Sequence, residues 1–277
     1  MTWDNSRSTM PGAARQLSVL APVWLPEGTH GRSRPLQTGR AVAWPQITLP
    51  AMTSYQMIVS GGIAMAYRAW GAPAAPPMVL LHALGESAAD WEDVAPAFTE
   101  RWRVYAPDLR GHGRTEWPGE YSLDLMCADV AGFLDALALD RVDLIGHSLG
   151  GAVALLMAER YPQRIGRLVL EDVMAPRPRQ AALPSKPPGD LPYDWDMVLA
   201  VRKQIDAPDP AWLRRLGRIT APTLVIGGGP DSHIPQDRVA ELAHRIPAAR
   251  LATIPAGHLV HRAQPDQFIQ TVLSFLG

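Results

Sequence analysis

One cysteine, Cys127, is all the thiol chemistry in 277 residues. A single thiol excludes an internal disulfide framework and any zinc site built from several cysteines. It sits in the apolar helical pattern LDLMCADVAGFLDALAL, where a free cysteine acts as a small buried hydrophobe. This usage suits a reducing, cytoplasmic setting. No run of about 18 consecutive apolar residues occurs, so no membrane span is expected. Charge of one sign is lacking too, since 26 Lys and Arg face 27 Asp and Glu. That balance gives no electrostatic reason to expect nucleic acid or an acidic surface as partner. No GxGxxG fingerprint, phosphate loop or metal-ligand cluster is present, so no cofactor is implied.

Residues 1–52 lack a sustained hydrophobic period. They carry Arg7, Arg15, Arg32, Arg34 and Arg40 against only Asp4 and Glu27. The expectation is a mostly disordered N-terminal tail. LSVLAPVWL faintly resembles a signal-peptide core, but Pro22 interrupts it and no clear cleavage site follows. From residue 53 onward the pattern changes. YQMIVSGGIAMAYRAWG reads as two strands joined at Gly61-Gly62. Short apolar runs at 78–82, 102–108, 142–148, 167–172, 222–229 and 249–255 suit strands buried on both faces. Helical patterns lie between them near 91–100, 123–138, 149–161, 236–246 and 264–276. Such alternation predicts an α/β fold, a doubly wound and mainly parallel sheet. Residues 174–221 break the rhythm with a cluster of prolines and read as a short cap or lid.

Within this frame, GHSLGG at 146–151 stands where a strand gives way to a helix. A serine hydroxyl is a poor nucleophile until a base takes its proton. It must also stand clear of its own backbone so that a carbonyl carbon can approach. A sharp strand-to-helix turn does this for Ser148, and Gly146 and Gly150 remove side chains that would collide. The new helix then aims free N–H groups at the place where negative charge develops.

Gly146-His147-Ser148-Leu149-Gly150 resembles the G-x-S-x-G nucleophile elbow of the α/β-hydrolase superfamily, and the resemblance runs from about residue 54 to 277. It implies the chain order serine, acid, histidine. LVIGGGPDSHIP puts Asp231 past an apolar strand, where the family's acid usually sits. Glu171 and Asp172, ending LVLED, are rivals, because some members draw the acid from there. His258, in LATIPAGHLVH, is the implied base. Its neighbour His261 is expected to pack or cap the next helix, and His233 to lie in a surface loop. His112 and His147 are given structural roles. The implied oxyanion donors are the backbone N–H groups of Leu149 and Leu84. Leu84 belongs to LLHALGES, where Ala83 replaces the family's usual glycine and leaves open which of the two donates. Asp108 and Arg110 of DLRGHGRT are expected to hold loops together.

A serine at the elbow argues against epoxide hydrolase and dehalogenase chemistry, which uses an aspartate there. The resemblance then implies a serine hydrolase acting on an ester, thioester or lactone through an acyl-serine, with carbon–carbon cleavage of a ketone-bearing substrate also open. The expected partner is a small-molecule acyl substrate, and Tyr193, Trp195 and Trp212 suggest an apolar pocket. Other readings are a receptor-like ligand-binding protein with vestigial catalysis, or perhydrolase or hydroxynitrile-lyase-like activity from the same residues.

Overall fold

The computed structural model describes residues 54–277. The tail expected at 1–52 lies outside the described residues. The chain opens with β1 (Gln56–Ser60) and β2 (Ile63–Trp70), an antiparallel hairpin in which Ser60 faces Ile63. Gly61 and Gly62 both take positive φ, 57° and 85°, as a two-residue turn between twisted strands requires. Then follow β3 (Pro77–Leu81), β4 (Arg103–Pro107), α1 (Leu123–Ala136), β5 (Val142–His147), α2 (Leu149–Arg160) and β6 (Ile165–Glu171). After β6 the chain makes its long excursion, carrying α3 (Trp195–Asp206) and α4 (Pro210–Arg215). It returns through β7 (Thr223–Gly227), α5 (Gln236–Arg245), β8 (Ala249–Thr253), α6 (Val260–Ala263) and α7 (Pro265–Leu276).

The eight strands form one sheet in the order β1-β2-β4-β3-β5-β6-β7-β8, parallel from β4 to β8. Strand side chains alternate between two cores. Val79, Leu81, Leu144, Leu168 and Val225 join a core with α1 and α2. Met78, Leu80, Ile145, Val169, Leu224 and Ile226 join another with Phe268 and Val272 of α7. The apolar runs therefore lack polar alternation because both faces are covered. No helix among the described residues is long and apolar enough to cross a membrane.

The helix expected at 91–100 does not form. Two short 3₁₀ turns, Ala88–Trp91 and Ala95–Phe98, replace it. Pro96 has no N–H to donate and its ring would clash with a preceding turn, so a continuous α-helix through it is disfavoured.

Candidate active site

Ser148, between β5 and α2, has φ 50° and ψ −110°, a conformation a side-chain-bearing residue rarely adopts. Its N–H donates to the Glu171 carbonyl at 3.1 Å, so the β6 end helps hold the turn. A Cβ on Gly146 would lie 2.5 Å from the Gly150 carbonyl oxygen, and one on Gly150 would strike the Leu81 carbonyl. Glycine at both places is therefore steric necessity, and Ser148 is left half-buried at a cavity wall.

His258 lies in the loop between β8 and α6, with its side chain 17% exposed. Its Nδ1 is 2.7 Å from Oδ2 of Asp172, the residue after β6. Asp172 also has positive φ, 48°, and its carboxylate is buried. It accepts from the Gly228 N–H at 2.9 Å, from Gln236 Nε2 at 3.1 Å and from the Ser232 hydroxyl. Burial pushes this carboxyl's pKa up, but the hydrogen bonds from His258, Ser232, Gly228 and Gln236 hold it below the usual value. The group is thus an ionised acceptor for the imidazole N–H.

Asp231 does not take that place. It is exposed in the turn after β7 and is not a partner of His258 among the described residues. The carboxylate brought against His258 is that of Asp172, one of the two rivals, and not that of Asp231, for a geometric reason. Gly228 and Ser232 of the same turn donate to Asp172, so the turn supports a carboxylate supplied by β6. His233, in that turn, is exposed but brings its ring centroid to 4.3 Å from that of His258.

Leu84 and Leu149 line the same cavity as Ser148 and His258. Neither backbone N–H has a hydrogen-bond partner among the described residues. The Leu84 loop is fixed from below by His82, which is buried. The Leu109 N–H points at His82 Nε2 at 2.9 Å, so Nε2 accepts and Nδ1 carries the proton that reaches the Ala83 carbonyl at 2.8 Å. Burial lowers the His82 pKa and keeps that ring neutral. The position of positive φ in this loop is Gly85, at 83°, and Ala83 is not among such residues, so a side chain is tolerated at 83.

Asp108 and Arg110 organise loops. Asp108 accepts from the N–H groups of Ala88 at 2.6 Å and Arg114 at 2.8 Å. Arg110 grips Asp129 with two bonds of 2.6 and 2.7 Å.

Beneath the site lies a buried ionic cluster that motif reading does not assemble. His261 Nδ1 meets Glu171 Oε2 at 2.8 Å, and its Nε2 lies 3.2 Å from Asp90. Arg262 Nε also pairs with Asp90. Burial opposes charge on His261, but Glu171 and Asp90 outweigh it and push its pKa up to about 10. Trp91 stacks on this imidazolium at 4.3 Å. His147 donates from Nε2 to the His258 carbonyl at 2.8 Å. Each of these three residues therefore has a near chain neighbour in the cluster: Ser148 next to His147, Asp172 next to Glu171, and His258 three residues before His261. His147, Glu171 and His261 also stand close enough to share a metal ion. Yet the cationic His261 already neutralises carboxylate charge there, and a His261–Glu171 bond occupies the ligand atoms.

The cavity measures about 440 Å³, within the roughly 300–1,000 Å³ usual for small-molecule clefts. Ala152, Leu155, Val173, Ile205 and Trp212 make much of its wall.

Residues 76–205 match the family model for the alpha/beta hydrolase fold. The chain is 43% identical over 120 residues to a 2-hydroxy-6-oxo-2,4-heptadienoate hydrolase of Pseudomonas putida, covering 42% of this chain and 43% of that protein. It spans less than half the length of the first curated relatives it matches, 43% and 38%. A hydrolase from Pseudomonas aeruginosa PA01 superposes with a TM-score of 0.65 at 30% identity, over 83% of this chain and 100% of that one. The enol-lactonase from Burkholderia xenovorans LB400 gives 0.69 at 26% identity, over 80% and 99%. With its mainly parallel sheet and its serine at the β5–α2 turn, the chain belongs to the alpha/beta hydrolase fold family.

Proposed function

We propose that the protein is a serine hydrolase that cleaves a small acyl compound, an ester, thioester or lactone, through an acyl-serine. The observation that carries this reading is the 2.7 Å bond from His258 to the buried Asp172 in the cavity that strained Ser148 lines. His258 takes the Ser148 proton as the hydroxyl attacks the carbonyl carbon, then delivers it to the leaving group. Asp172 holds Nδ1 protonated, leaving Nε2 as the basic nitrogen, and stabilises the imidazolium that forms. The free N–H groups of Leu84 and Leu149 receive the oxyanion. Water activated by the same histidine then releases the acid and restores the serine.

A fluorophosphonate probe should label Ser148, and p-nitrophenyl acetate should be cleaved by the wild type. Ser148→Ala should lose labelling and about 10⁶-fold of the turnover. Folded wild-type protein that neither labels nor turns over would refute the reading. A second reading, cleavage of a carbon–carbon bond beside a ketone, is favoured by the 43% identity to the heptadienoate hydrolase. It uses the same residues, and release of an enol carbon in place of an alcohol distinguishes it.

A further inference from the structure

The excursion between β6 and β7 brings two guanidiniums, Arg179 and Arg202, to the wall of the cavity. They share one carboxylate. Arg179 Nε pairs with Asp206 Oδ1 at 2.5 Å, and Arg202 Nη2 approaches Asp206 Oδ2 at only 3.5 Å. Asp206 is further committed through its carbonyl, which accepts the Arg179 N–H at 2.9 Å. Arg202 Nε is buried without a hydrogen-bond partner, and neither terminal nitrogen of Arg179 has one among the described residues.

The remaining charges of the cavity are taken. Glu86 pairs with Arg262, and Asp172 with His258. Two cations against one anion leave a surplus positive charge in a wall that also holds apolar residues such as Ile205 and Trp212. Each arginine side chain is 26% exposed, so water relieves part of that cost but not all. The surplus also reaches toward the base. Burial, His258, Arg179 and Arg202 together lower the pKa of His233, whose ring stands beside that of His258.

We propose that Arg179 and Arg202 form an anion subsite, and that the substrate is an acyl compound with a second, free carboxylate several bonds from the scissile carbonyl. The inference rests on the serine hydrolase reading and names its substrate class. Arg179, Arg202 and Ser148 line one cavity, so a carboxylate held by the guanidiniums and a carbonyl at the serine can be separate groups of one molecule. A carboxylate is planar and matches a guanidinium fork, which a neutral ester does not.

The test compares p-nitrophenyl monoesters of adipic and suberic acid with their ω-methyl esters, using the full chain. In the wild type, kcat/KM should favour the free carboxylate by about tenfold or more. Arg179→Met and Arg202→Met should each cut that ratio about tenfold, while Arg202→Lys should retain part of it. Each single variant leaves Asp206 one guanidinium partner, and the melting temperature reports whether the fold survives. A wild-type ratio at or below one, or a ratio unmoved by both methionine variants, would overturn the subsite. If no ester is cleaved and Ser148 takes no fluorophosphonate, it is the hydrolase reading that fails. Titration calorimetry with adipate then decides the subsite separately: binding lost in Arg202→Met upholds it, and no binding to the wild type overturns it.

Discussion

Asp172 and Asp231 follow neighbouring parallel strands, β6 and β7, and either could face a histidine after β8. Asp172 is buried, left-handed in its backbone and held by three donors besides His258. Asp231 is exposed and meets water. The contrast teaches that an acid in this role is made by its surroundings. A carboxylate that orients an imidazole must be rigid and ionised in a dry place, and hydrogen-bond donors secure both.

The comparison can be broken at its foundation first. Glu171→Gln removes the charge that His261 faces just below Asp172, leaving a buried cation with less compensation. It should lower unfolding free energy by about 3–5 kcal/mol in a urea titration. Asp231→Asn should leave the same titration within about 0.5 kcal/mol.

A pH series sharpens the same difference. The folded His261 pKa, about 10, exceeds its ordinary value of 6.5. The stability it contributes is therefore complete below about pH 6.5 and is lost as pH rises through 10. The melting temperature of the wild type should fall over that window more steeply than that of His261→Gln. Parallel curves for the two proteins would remove His261 from the account.

A smaller effect separates the two roles of the β7 turn. Ser232→Ala deletes one donor to Asp172 and should cost about tenfold in kcat against p-nitrophenyl acetate. The melting temperature should change little. An unaltered kcat would show that the remaining donors suffice.

Much of this was legible in the sequence, for local reasons. The apolar runs mark strands because both faces of the sheet are covered, and the serine stands in a short pattern whose glycines have immediate steric causes. Which carboxylate meets His258 was legible only as a choice among Asp231, Glu171 and Asp172. Asp231 and Asp172 both follow apolar strands, and what distinguishes them is a φ of 48° and donors from Gly228, Ser232 and Gln236, far along the chain. The pairing of Asp90 with His261 likewise joins distant segments and has no local signature. Pro96 was visible, yet the apolar period around it read as a helix until the two 3₁₀ turns replaced it.

The most direct test of the central claim is kcat for Asp172→Asn beside Asp231→Asn, with p-nitrophenyl acetate and folding checked for each. Asparagine keeps the shape of aspartate but removes the charge and can present the imidazole with the wrong tautomer. Asp172→Asn should lose about 10⁴-fold, while Asp231→Asn should stay within about twofold of the wild type. The reverse pattern, with Asp231→Asn the crippled variant, would contradict the account.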